Sequence, residues 1–265
     1  MAKAPTDRPG LPQASSVLAT KQFAPGGPAA APGAPGVAGA HTVYKILRTD
    51  EVDAKDPPIS PALRSEMMAT GAAAPTRAAG DNFGGTARRK AKLSISSARK
   101  EKFVDVKALI ATLPSLNDMK HHDPAITVGV TSARVEEEER NVSIDAFIYA
   151  ASRENDNDFH VILGRAPDKR PPVYMTMEIS ALPSRLSASF RKLKAARDAY
   201  KTFFGADLQG ATYDYYDPPI PIRVEGSLFF DMSHASGNSP GPKSLHDDMP
   251  VIWEIHPVSK IVFEP

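Results

Sequence analysis

Five runs of residues in the C-terminal half of the chain have the apolar alternation or clustering that β-strands require. They cover residues 142–153, 159–165, 173–180, 220–232 and 251–263. In the third run, Met175, Met177 and Ile179 fall on one face, because side chains alternate along a strand. Residues 187–204, between the third and fourth runs, place apolar side chains three and four positions apart and predict an amphipathic helix that stops at Gly205.

The order of these elements is strand, strand, strand, helix, strand, strand, which is the order of an OB-fold. We therefore expect a mainly β domain with one or two helices, an OB-like five-stranded barrel over residues 97–265. Upstream of the five runs, the spacing of apolar residues predicts a short helix over 102–113, and residues 125–130 have the pattern of a further strand.

Residues 1–96 predict a largely disordered arm. Residues 21–40 are almost entirely Ala, Gly and Pro, a composition that buries too little apolar surface to offset the entropy of the chain. The segment 41–56 interrupts the arm with several apolar residues. It is either a strand that docks on the domain, which we favour, or a linear motif for a partner. The basic run at 87–92 is interpreted as part of a solvated tail.

Composition excludes several classes of protein. The 265-residue chain has no cysteine, which rules out disulfides, thiolate zinc sites and cysteine nucleophiles. No apolar run reaches the ~18 to 20 residues of a membrane-spanning helix, so no membrane association is expected. The first residues lack the apolar segment of a secretory signal, which favours a cytoplasmic location. Secretion stays an alternative, because the lack of cysteine does not decide the compartment.

The net charge of +1 hides an asymmetry between the two parts of the chain. Residues 96–265 carry 20 Lys and Arg against 24 Asp and Glu, so the expected domain is mildly acidic and the arm is basic. Nucleic-acid-binding domains usually carry a positive excess. A protein or an oligomeric ligand is therefore a more plausible partner for this domain than nucleic acid.

Four residues near the ends of the last two strands could supply chemistry: Asp231, His234, Glu254 and His256. Strand parity places Glu254 and His256 on one face, and Asp231 and His234 flank the end of the neighbouring strand. Imidazoles with carboxylates could hold a divalent metal such as zinc, manganese or iron, or act as an acid and base pair. Their spacing matches no defined motif, and ordinary structural hydrogen bonding is the leading interpretation of the set.

A second set lies on the second and third strands, whose outer face commonly holds ligands in OB domains: His160, Tyr174, Thr176 and Glu178. The chain contains neither a phosphate-binding glycine loop nor a G-x-S-x-G nucleophile motif. The leading hypothesis is therefore a non-enzymatic binding module that uses this face. The alternative is a metal-dependent hydrolase or phosphoesterase that uses the first set.

Two segments in the C-terminal part carry a family resemblance. FFD-x-x-H at 229–234 and WEIHPV at 253–258 resemble segments of a bacterial protein family that has no established activity. The resemblance implies common descent with an OB-like domain and brings no function with it.

Overall fold

The computed structural model describes residues 10–12, 16–25, 42–53, 61, 65, 80–235 and 240–264. Most of the segment 21–40, for which disorder is predicted, lies outside these residues. Within the described part, no helix is long and apolar enough to cross a membrane.

Eight strands form one sheet in the described residues, which confirms the mainly β class. The strands are β1 (Val17–Phe23), β2 (Tyr44–Thr49), β3 (Lys100–Phe103), β4 (Asn141–Arg153), β5 (Phe159–Gly164), β6 (Tyr174–Ile179), β7 (Asp214–Phe230) and β8 (Trp253–Phe263). The α-helices of the same residues are α1 (Arg89–Lys92), α2 (Val106–Ile110), α3 (Leu116–Lys120) and α4 (Phe190–Phe204). The sheet order is β1-β2-β7-β8-β6-β5-β4-β3, and β7 also pairs with β4.

The pairing of five strands gives a partial ring. Strand β4 pairs with β5 and β7, β5 pairs with β6, and β7 pairs with β8, all antiparallel. Strand β6 pairs with β8 in parallel over only two residue pairs, Thr176 with Glu254 and Met177 with Ile255. Strand β7 can join three neighbours because it is 17 residues long.

One face of these strands packs into the main hydrophobic core. Phe159, Met177 and Ile255 are all buried there, and α4 covers them with Tyr200 and Phe204. Burying each side chain of this size contributes about 1.5 to 3 kcal/mol. Since side chains alternate along a strand, the other face of β5, β6 and β8 carries the residues in between.

Two upstream elements differ from their prediction. Residues 125–130 form no strand, and their carbonyls at Val128 and Val130 instead accept hydrogen bonds from the backbone of residues 88 and 90. The helix predicted over 102–113 is shorter and consists of α2 alone. It begins after Asp105, which caps it by accepting a hydrogen bond from the backbone of Ala108 at 2.9 Å.

The packed region begins upstream of residue 97, where the sequence suggested that the domain starts. Phe83, Arg88 and Ala91 are buried, and Arg88 donates a hydrogen bond to the backbone carbonyl of Phe230 on β7 at 3.1 Å. Arg88 forms a bidentate ion pair with Glu138 at 2.6 and 2.7 Å, so the basic run at 87–92 is not a solvated tail. Within the segment 41–56, β2 pairs with the first residues of β7.

Candidate metal centre

Polar side chains share the face of β5, β6 and β8 that points away from the core. The register places His160 opposite Glu178 on β6, and Thr176 beside Glu254 on β8. His256 follows Glu254 by two positions and lies on the same face. All five side chains are at most 2% exposed, so this polar row is buried.

Segments from before the ring bury this row. The Lys92 Nζ lies 3.7 Å from Oε2 of Glu178 and 3.8 Å from Oδ2 of Asp156. Farther along the row, Oδ2 of Asp53 is 3.8 Å from Nε2 of His160. The face that the OB-like order predicts to be open is therefore covered by α1 and by the residues after β2.

This cover changes the role of the predicted ligand-binding set. His160, Tyr174, Thr176 and Glu178 are at most 2% exposed, and Tyr174 packs edge-on against Tyr149 with ring centroids 4.9 Å apart. None of the four can contact a protein or an oligomeric ligand in this conformation. Two of them, His160 and Glu178, belong to clusters of potential metal ligands.

The first cluster consists of Asp158, Glu178 and His256, which offer ligand atoms within 4.8 Å of one another. Nδ1 of His256 is 2.7 Å from Oε2 of Glu178 and 3.4 Å from Oε2 of Glu254. Its other nitrogen, Nε2, is 3.4 Å from Oδ2 of Asp158. An imidazole and two carboxylates thus meet in a fully buried space.

Several polar atoms of this space lack a hydrogen-bond partner among the described residues. They are Oδ2 of Asp158, Oγ1 of Thr176 and Nε2 of His256. Folded proteins satisfy nearly all buried polar atoms, so each exception calls for an explanation. The other oxygen of Asp158 is satisfied, since it accepts a hydrogen bond from the backbone of Ala181 at 2.6 Å.

The cluster also has more carboxyl groups than basic groups. Four carboxyl groups surround the Lys92 ammonium, those of Asp156, Asp158, Glu178 and Glu254. Burial raises the pKa of Asp158 and of Glu254 well above their usual values. One lysine therefore does not balance the carboxyl groups, and a further cation would favour their ionised forms.

His256 is suited to bind such a cation. Burial lowers its pKa from 6.5, although the nearby Glu178 acts in the opposite direction. A neutral imidazole, the form that this shift favours, is also the form that binds metals.

The second cluster consists of Asp53, Glu154 and His160, again with ligand atoms within 4.8 Å of one another. Oε1 of Glu154 is 3.0 Å from Nδ1 of His160. Neither nitrogen of that ring has a partner with hydrogen-bonding geometry. Burial would lower the pKa of His160, but Glu154 and Glu178 raise it well above 6.5.

The four residues first proposed for metal chemistry do not form one site. His234 contacts Asp231 through Nδ1, and its Nε2 is 3.4 Å from Oδ1 of Asp53. Glu254 and His256 instead face Glu178, and of the four only His256 belongs to a metal-compatible cluster in the described residues.

The sequence interpretation missed three of the potential ligands. Asp158 and Glu154 belong to the turn between β4 and β5, where Asn and Asp residues are common because their side chains cap turns. Asp53 lies in the segment assigned to the arm, where no pattern marks it.

Comparison with known proteins assigns no relative. The chain matches no family model, no curated protein and no solved structure. The function is therefore argued from the geometry of the two clusters.

Proposed function

We propose that this protein is a metal-binding β-domain that holds a divalent transition-metal ion between Asp158, Glu178 and His256. The observation that carries the proposal is the convergence of buried ligand atoms from these three residues, of which Oδ2 of Asp158 and Nε2 of His256 have no hydrogen-bond partner in the described residues. A divalent cation would satisfy these atoms and offset the excess of carboxyl groups around Lys92.

The donor set limits which metals fit. One imidazole and two carboxylates suit zinc, manganese or iron(II), and the chain has no thiolate to offer a softer ion. Glu254 lies 3.4 Å from Nδ1 of His256, on the side of the ring away from the unpaired Nε2. A carboxylate in that place orients a ligating histidine and increases its basicity.

The same proposal includes an OB-type barrel. The element order and the partial ring of β4, β5, β6, β8 and β7 support it, as does the position of α4 between the third and fourth strands of the ring. In this fold the outer face of the second and third strands is a common ligand site, and here that face supplies His160 and Glu178, one residue of each cluster. We also propose descent shared with the bacterial family that has the FFD-x-x-H and WEIHPV segments, because both segments contribute to this network.

Metal analysis tests the proposal. The full chain, purified without an affinity tag and freed of metal, is loaded with Zn²⁺ or Mn²⁺, separated from excess ion and measured by elemental analysis. We expect at least one equivalent in the wild type and one equivalent less in His256→Ala. A matched control is His122→Ala, because His122 pairs with Glu137 at 2.8 Å away from the clusters and is only part-buried.

A second variant distinguishes loss of metal binding from loss of folding. In Asp158→Asn, the remaining oxygen still accepts the hydrogen bond from Ala181, while the anionic ligand is lost. This variant should fold and still lose one equivalent. Metal content that is zero in the wild type, or equal in the wild type and both variants, would contradict the proposal.

A further inference from the structure

We propose that Asp53, Glu154 and His160 form a second metal position, joined to the first by the carboxylate of Glu178. This inference rests on the proposed function, since it adds a second ion to the same polar row. It would make the row a two-metal centre with one closed and one accessible position.

The buried imidazole of His160 is the first reason. Its side chain is 1% exposed, and its Nε2 has no hydrogen-bond partner in the described residues. Oε1 of Glu154 lies 3.0 Å from Nδ1, and Oδ2 of Asp53 lies 3.8 Å from Nε2. A buried ring with an unsatisfied nitrogen and two carboxylates nearby is a geometry that an ion would complete.

The two oxygens of Glu178 provide the second reason. Oε1 is 3.6 Å from Nδ1 of His160, and Oε2 is 2.7 Å from Nδ1 of His256. Each oxygen therefore faces the histidine of a different cluster. A carboxylate in this position can bridge two ions, as in two-metal sites whose ions lie about 3.5 to 4 Å apart.

The two positions differ in their access to solvent. The side chains of Asp158, Glu178 and His256 are at most 3% exposed. Those of Glu154 and Asp53 are 30% and 11% exposed. Closed coordination is typical of structural ions, whereas an ion with an open side keeps a water or an exchangeable oxygen ligand. We assign the exchangeable ion to the second position.

Asp231 and His234 gain a role from this assignment. Oδ2 of Asp53 accepts a hydrogen bond from the backbone of Gly241 at 3.0 Å, and Oδ1 lies 3.4 Å from Nε2 of His234. The other nitrogen of His234 contacts Asp231. These two residues are therefore positioning residues, which hold the carboxylate of Asp53 in place.

Manganese binding tests the second position. Mn²⁺ alone is added to the metal-free full chain, bound ion is counted by equilibrium dialysis, and its environment is read by electron paramagnetic resonance. We expect two equivalents and an exchange-coupled spectrum in the wild type. Glu154→Gln should bind one equivalent and give the spectrum of an isolated ion. Glu137→Gln is the matched control and should bind two, because Glu137 pairs with His122 outside the clusters.

His234→Gln separates positioning from ligation. It should raise the dissociation constant of the second ion about 10- to 100-fold and leave the first unchanged. Two ions retained by Glu154→Gln would overturn this inference. A wild type that binds a single ion would also overturn it. If Asp158→Asn then removed that single ion, the proposed function would still stand. A wild type that binds no ion would overturn both. Circular dichroism of each variant verifies that it is folded.

Discussion

Asp214 provides a quantitative test of how burial affects charge in this fold. It is the first residue of β7, it is 2% exposed, and it pairs in register with Arg48 of β2. Its Oδ2 is 3.6 Å from Nε of Arg48. Burial raises the pKa of Asp214 to about 7, against the lowering effect of Arg48 and with a smaller contribution from Asp207. Desolvation therefore outweighs the ion pair.

The raised pKa makes stability depend on pH with a definite sign. Between the unfolded value of 3.8 and the folded value of about 7, the folded state holds more protons than the unfolded state. The stability that this group contributes is therefore fully present below about pH 4, decreases between pH 4 and 7, and is lost above pH 7. At about 1.4 kcal/mol for each pKa unit, the loss is about 4 kcal/mol.

Asp214→Asn removes this dependence because asparagine is neutral at every pH. Urea denaturation from pH 4 to pH 8 should give nearly equal free energies of unfolding for the variant and the wild type at pH 4. Above pH 7 the variant should be more stable by about 4 kcal/mol. Asp145→Asn is the control, because Asp145 is exposed on β4 and pairs with Arg223. Parallel curves for Asp214→Asn and the wild type would refute the reasoning.

Three further changes have expected outcomes. Arg88→Ala should lower the free energy of unfolding by about 3 to 5 kcal/mol in urea, because it leaves Glu138 buried without its ion pair. Gly226→Ala should lower it by about 1 to 3 kcal/mol, since a Cβ there would lie 2.7 Å from the carbonyl oxygen of Pro257. Mn²⁺ at 100 times its dissociation constant should stabilise the wild type by about 2.7 kcal/mol, raising Tm by about 5 to 10 °C, and Asp158→Asn should lack most of this rise.

The strands of the ring were largely predictable from the sequence. Apolar runs at 142–153 and 159–165 correspond to β4 and β5 within a residue or two, because both faces of these strands are mostly buried. The N-terminal part of β7 was missed, since Pro218 and Pro219 made it resemble a loop. It becomes a strand through pairing with β2 and β4, which no local pattern reveals.

Only part of the candidate site could be predicted from the sequence. Strand parity identified Glu254 with His256, and the second and third strands identified His160 with Glu178, because alternation alone fixes their faces. Strand register then joins these pairs, and register between distant segments cannot be read from one sequence. The sequence therefore predicted the two residue pairs of the polar row but not that the two pairs lie side by side.

The remaining contributors come from chain that composition assigned to a disordered arm. Lys92 is the cation among the four carboxyl groups of Asp156, Asp158, Glu178 and Glu254, and Asp53 completes the second cluster. Both side chains lie against the polar row, since Lys92 contacts Glu178 and Asp53 contacts His160. An ion held by both Asp53 and His160 would bind the docked state alone. Docking of the segment that carries Asp53 and binding of this ion would thus stabilise each other.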